Sequence, residues 1–139
     1  MKADVLVDTS IWIEYFNRRD SENGEALEGL LREERVAITG VVVTELLQGA
    51  KQKSEFDAIL DSIVALPFLD ATLNTWIEAG SLSYSLRKKG LTVPTTDVVL
   101  AGLAIENQCH LFSLDSHFDR IPGVKRYPKS ALKASSPST

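Results

Sequence analysis

The sequence predicts an α/β fold with a mostly parallel central sheet, on three observations. Val5-Leu6-Val7 and Val36-Ala37-Ile38-Thr39 are short apolar runs without alternation, the pattern of strands buried on both faces. These runs alternate with longer segments of helical periodicity, which is the order of βα units. The chain has 139 residues, enough to bury one core, and shows no internal repeat or second domain. Residues 1–129 are therefore expected to form one domain, and 130–139, small, polar and proline-containing, a disordered tail.

Taken in order, Val5–Val7 is a strand that ends in Asp8, and Ile11, Trp12, Tyr15 and Phe16 then recur at helical spacing. Asn17 to Gly24 reads as a polar loop before a helix carrying Ala26, Leu27, Leu30 and Leu31 on one face. After the Val36–Thr39 strand, Gly40 opens a turn into VVVTELLQGA, and Ser54 to Leu66 forms a helix with Phe56, Ile59, Leu60 and Ile63 on one stripe. Leu66 to Leu69 is a further strand, placed at a sheet edge by Pro67. Asp70 or Thr72 caps the next helix, whose inner side is expected to carry Leu73, Trp76, Ile77 and Tyr84. Its basic end, Arg87-Lys88-Lys89 before Gly90, suits the negative end of a helix dipole. A loop to Asp97 leads into a nearly all-apolar helix, Val98 to Ile105, followed by a strand at His110–Ser113 and a last one at Val124–Tyr127.

Composition narrows the function classes. No apolar stretch approaches the roughly 18 residues of a membrane helix, and Met1-Lys2-Ala3 leads straight into a strand without the pattern of a signal peptide, so a cytoplasmic protein is expected. The lone Cys109 is expected in the core, since it can form neither an intrachain disulfide nor a cysteine-based zinc site. A net charge of −4 argues against indiscriminate nucleic-acid binding. It leaves room for a nuclease, because a carboxylate site is partly neutralised by the cations it binds.

Four acids stand out. Asp8 and Asp115 fall just past strand ends, and Glu45 and Asp97 near helix starts, so that the fold can gather them on one edge of the sheet, where open α/β sheets place their ligands. Singly, each has a structural explanation: Asp8 and Asp97 as helix caps, Glu45 as an exposed residue or the partner of a cation. Gathered together, their repulsion requires protons or cations. Oxygen donors without a His or Cys cluster select Mg²⁺ or Mn²⁺ over zinc, and the matching chemistry is metal-assisted phosphodiester hydrolysis. The sequence offers neither a Gly-rich phosphate loop nor a Ser-His-Asp pattern as an alternative.

VDTSIWIEYF, VVVTELLQGA, TDVVLAGLAIENQ and LFSLDSHF, in that order over nearly the whole chain, resemble the PIN-domain ribonucleases, and most closely the VapC-type toxins of toxin–antitoxin pairs. The resemblance implies a three-layer α/β/α sandwich, with Asp8, Glu45, Asp97 and Asp115 at the acidic metal-binding positions and Ser10 and Ser113 as supporting hydroxyls. It further implies Mg²⁺ or Mn²⁺ dependence, endonucleolytic cleavage of structured RNA, a homodimer, and inhibition by a small antitoxin protein. The last motif departs from the family pattern: Leu114 stands where Arg is common and His117 where a further acid is common, leaving Asp119 as a substitute.

Two other readings fit parts of the sequence. In one, the domain is a binding module with little or no catalysis, a partner peptide crossing the aromatic face of Trp12, Tyr15 and Phe16. The other, a phosphoacceptor receiver domain, needs two neighbouring acids at the end of the first strand, where this chain has only Asp8.

Overall fold

The computed structural model describes residues 3–128; the tail expected at 130–139 lies outside the described residues. The chain runs through β1 (Val5–Val7), α1 (Thr9–Asn17), α2 (Glu22–Arg32), β2 (Val36–Thr39), α3 (Gly40–Gln48) and α4 (Lys53–Ile63). It continues through β3 (Phe68–Leu69), α5 (Leu73–Lys88), α6 (Thr95–Glu106), β4 (His110–Phe112), a 3₁₀ turn at Ser116–Arg120, and β5 (Lys125–Arg126). The strand order is β3-β2-β1-β4-β5, and all pairings are parallel.

That order explains the layers. The first two crossovers step from β1 to β2 to β3 in one direction, and the third returns across the sheet to β4. With right-handed crossovers, α1 to α4 cover one face and α5 and α6 the other, giving an α/β/α sandwich. Burial of Val5, Leu6 and Val7 to zero exposure follows from this double cover. Truncating such a residue, as in Leu6→Ala, is expected to cost about 2–5 kcal/mol. The direction of winding reverses between β1 and β4, so the crevice outside their carboxyl ends is the topological switch point of the sheet.

Several elements differ from the sequence-based expectation, each for a local reason. Helix α2 starts at Glu22 rather than after Gly24, because the Ser21 hydroxyl accepts from the Gly24 N–H at 3.0 Å and caps it. Gly24 is needed there: a Cβ would lie 2.7 Å and 2.8 Å from the Arg18 and Arg19 carbonyl oxygens. Helix α6 starts at Thr95, which places Asp97 inside its first turn.

Helix α5 turns a different face inward than expected: Thr75, Ala79 and Leu86 are buried, whereas Leu73, Trp76, Ile77 and Tyr84 are at least half exposed. The small Thr75 and Ala79 let α5 pack on α6, and the Thr75 hydroxyl donates to Glu106 at 2.9 Å, fixing that rotation. The aromatic face of α1 is also no docking surface. Trp12 and Tyr15 are buried, and Phe16, stacked on Trp12 with ring centroids 5.7 Å apart, packs against the core. Cys109 is buried as expected, and no helix of the described residues is long and apolar enough to cross a membrane.

Candidate active site

The carboxyl edge of the sheet is built from four segments: the β1–α1 junction, helix α3, the first turn of α6 and the loop after β4. The β1–α1 junction contributes Asp8, 8% exposed, whose backbone N–H donates to Phe112 O at 2.8 Å and so locks it to β4. Its side chain is itself the N-cap of α1, as the sequence allows, with Oδ1 accepting from the Thr9 N–H at 2.8 Å. Oδ2 receives two hydroxyls, Ser10 Oγ at 3.1 Å and the buried Ser113 Oγ at 2.7 Å. These two serines also anchor the loop after β4, Ser10 Oγ accepting from the Leu114 N–H and Ser113 Oγ from the Asp115 N–H. Asp8 is thus capping residue and cleft residue at once.

Glu45, on α3, is half-buried and has neither of the expected settings, full exposure or a cationic partner. Its Oε1 accepts the Thr9 hydroxyl at 2.5 Å, and it lines a groove of about 560 Å³ together with Thr44, Gln48, Thr96, Phe68 and Trp76. The groove keeps one side of the carboxylate in water, which removes the need for a counter-ion.

Asp97 comes in from the first turn of α6, where the free N–H groups and helix dipole favour a negative charge. Burial nevertheless pushes its carboxyl above the ordinary aspartate range. The hydrogen bond and charge of His117 oppose that rise, and the charges of Asp8 and Asp115 add to it. His117 Nε2 lies 2.9 Å from Asp97 Oδ2 and its Nδ1 3.2 Å from Asp115 Oδ1. Donor atoms of Asp97, Asp115 and His117 lie within 4.8 Å of one another.

The structure therefore groups Asp97 with Asp115, sets Asp8 near enough for Asp97 to feel its charge, and holds Glu45 at the margin through Thr9. Asp119 does not join them. Its carboxylate accepts Arg126 Nη1 at 2.8 Å, while Arg126 Nη2 donates to the Ser113 carbonyl at 2.7 Å. Three residues with no assigned place in the sequence reading thus matter: Thr9, His117 and Arg126. Nothing in the sequence neighbours of Arg126 announces a contact made across 13 residues.

Among the described residues, no lysine or arginine pairs with Asp8, Glu45, Asp97 or Asp115. Hydroxyls, backbone N–H groups and one imidazole surround these acids instead. An oxygen-rich donor set with so little fixed positive charge fits a hard divalent cation.

Comparison with known proteins agrees with this geometry. The PIN domain model matches residues 5–124. The chain is 31% identical over 133 residues to the VapC ribonuclease Mb1587 of Mycobacterium bovis, covering 93% of this chain and 99% of that protein. The structure of VapBC2 from Rickettsia felis, bound to a DNA fragment from its promoter, superposes with a TM-score of 0.74 at 27% identity, covering 86% of this chain and 94% of the other. VapBC-5 of Mycobacterium tuberculosis, a member of the VapBC family of toxin–antitoxin systems, shares the fold, with a TM-score of 0.61 at 24% identity over 88% of this chain and 93% of that one. The chain belongs to the PIN-domain family and, within it, groups with the VapC ribonucleases.

Proposed function

We propose that the chain is the toxin of a toxin–antitoxin pair, an endoribonuclease that hydrolyses phosphodiester bonds of structured RNA at the carboxyl edge of its sheet with Mg²⁺ or Mn²⁺. The observation that carries this reading is the absence, among the described residues, of any lysine or arginine paired with Asp8, Glu45, Asp97 or Asp115 at the switch point of a PIN-family sheet. In this reading Asp8, Asp97 and Asp115 hold the cation, Glu45 extends the acidic wall into the groove, and Ser10 and Ser113 fix the Asp8 carboxylate. A bound divalent cation supplies Lewis-acid activation of water and neutralises charge at the phosphodiester.

The chain's own residues do the positioning. Asp8, held by one backbone and two hydroxyl donors, cannot swing away, so its charge faces the cleft without a conformational cost at the moment of reaction. Glu45, held by Thr9, borders a mostly apolar groove whose lining includes Val41, Phe68, Trp76, Val99 and Leu103 and no lysine or arginine. The kinship with VapBC proteins supports an antitoxin protein as partner. The outward apolar side chains Leu73, Trp76, Ile77 and Tyr84 of α5 support a homodimer, since apolar patches of this kind mark interaction sites.

The purified, partner-free chain tests this directly. It should cleave structured RNA in Mg²⁺ or Mn²⁺, stop in excess chelator, and recover when the cation is restored. Cleavage that persists in chelator would refute the metal-dependent reading, and tight partner binding with no cleavage under any cation would favour the binding module.

A further inference from the structure

His117 occupies a position that family resemblance leaves unassigned, and its geometry gives it a role. Its ring lies between two carboxylates, Nε2 at Asp97 Oδ2 (2.9 Å) and Nδ1 at Asp115 Oδ1 (3.2 Å). It also packs on the fully buried Phe118 ring, with centroids 4.8 Å apart. The two contacts are not equivalent. Asp97 is half-buried on α6, and its carboxyl is the one that feels the charges of both Asp8 and Asp115. Asp115 is about half exposed and belongs to the same loop as His117.

We propose that His117, through Nε2, is a nitrogen ligand of the cation centre, and that Asp115 orients it by accepting a hydrogen bond from Nδ1–H. The proposal rests on the metal-dependent reading above and goes beyond it. Metal-ligating histidines almost always give their other ring N–H to a carboxylate or carbonyl, which fixes tautomer and ring plane. Asp115 Oδ1 lies 3.2 Å from Nδ1, on the side of the ring away from Asp97, close enough to take that hydrogen bond after a small turn of the ring. Asp115, with Oδ1 committed to the ring, keeps only Oδ2 for a cation. The chemical consequence is selectivity. Replacing an oxygen donor by imidazole shifts a hard site towards Mn²⁺ and neighbouring transition metals and away from Mg²⁺. The departure from the family's acid at this position thus becomes a metal preference.

The test reads the ligand directly. Mn²⁺ is titrated into the full chain, and pulsed electron paramagnetic resonance measures ¹⁴N coupling to the bound ion. The wild type should show directly coordinated imidazole nitrogen. His117→Asp should lose that coupling while still binding Mn²⁺, and His110→Ala, altered at the opposite end of the sheet, should keep it. Calorimetry should show the ratio of Mn²⁺ to Mg²⁺ affinity falling in His117→Asp by about tenfold, the lower end of what tuning a metal site commonly changes. Saturable Mn²⁺ binding by the wild type without ¹⁴N coupling would overturn the assignment of His117 and leave the nuclease reading standing. Absence of saturable Mn²⁺ binding would overturn both. The wild-type spectrum decides the matter even if His117→Asp fails to fold.

Discussion

The two ends of β1 carry an aspartate each, and the contrast between them separates a structural acid from a functional one. At the amino end, Asp4 meets Arg35, whose Nε and Nη2 donate to the two carboxylate oxygens at 2.9 Å and 3.1 Å. This fork holds the Asp4 carboxyl below its ordinary range. At the carboxyl end, four residues on, Asp8 has hydroxyls and a backbone N–H but no cationic side chain, and Asp97 beside it is held above its ordinary range by burial. The same strand thus ends in a balanced charge on one side and an unbalanced group of acids on the other. Only the second edge calls for a cation from solution.

The comparison can be broken most severely at the carboxyl edge. Asp8→Asn or Asp97→Asn should reduce RNA cleavage more than a hundredfold, exceeding the roughly 10–100-fold typical of groups that only support a metal ligand. Asp4→Asn should leave cleavage within a few-fold of wild type. Rates measured on folded variants, checked by circular dichroism, would show it. A smaller effect, within that roughly 10–100-fold range, is expected of Thr9→Val. This variant leaves every carboxylate in place and removes the hydroxyl that positions Glu45. Its loss should appear in kcat more than in the KM for RNA.

Arg126→Ala comes next. Arg126 ties the Ser113 carbonyl to Asp119 and so braces the loop that carries Asp115 and His117. Removing it should cost about 1.5–3 kcal/mol of stability in urea unfolding, the range for hydrogen bonds to a charged group, and lower cleavage modestly.

The smallest effect is also the one with opposite signs at the two ends. A carboxyl held below its ordinary value stabilises the fold above that ordinary value, and the contribution is lost as pH falls from it through the lowered one. Asp4→Asn should therefore lower the melting temperature at neutral pH, and by progressively less as pH falls below about 4, the unperturbed aspartate value. A carboxyl held above its ordinary value favours the fold when protonated, and that contribution is lost as pH rises from the ordinary value through the raised one. In chelator, Asp97→Asn should accordingly raise the melting temperature at neutral pH and lose its advantage below about pH 4, near the unperturbed aspartate value. Like signs for the two variants would remove the distinction between the edges.

Much of this was legible in the chain itself, for identifiable reasons. Val5–Val7 and Val36–Thr39 are buried on both faces, so their apolar runs leave little ambiguity, and Pro67 marks β3 as an edge strand, which it is. The four acids were visible because parallel strands deliver their carboxyl ends to one side. On helix α5, hydrophobicity points to the wrong face. The close packing of α5 on α6 instead selects Thr75 and Ala79 and leaves Trp76 and Ile77 outside. Periodicity alone cannot see that choice. The roles of Thr9, His117 and Arg126 depend on contacts between loops, and the Asp119–Arg126 pair that withdraws Asp119 from the cleft is a contact of the same kind.

The central claim is that the acids of the carboxyl edge form one cation centre, and calorimetric titration of Mn²⁺ tests it most directly. Wild type should bind Mn²⁺ saturably, and Asp8→Asn on the β1 loop and Asp97→Asn on α6 should each abolish or strongly weaken that binding, whereas Asp4→Asn should not. Undiminished Mn²⁺ binding by folded Asp8→Asn would contradict the account, because the carboxyl edge of β1 would then lie outside any centre built on Asp97.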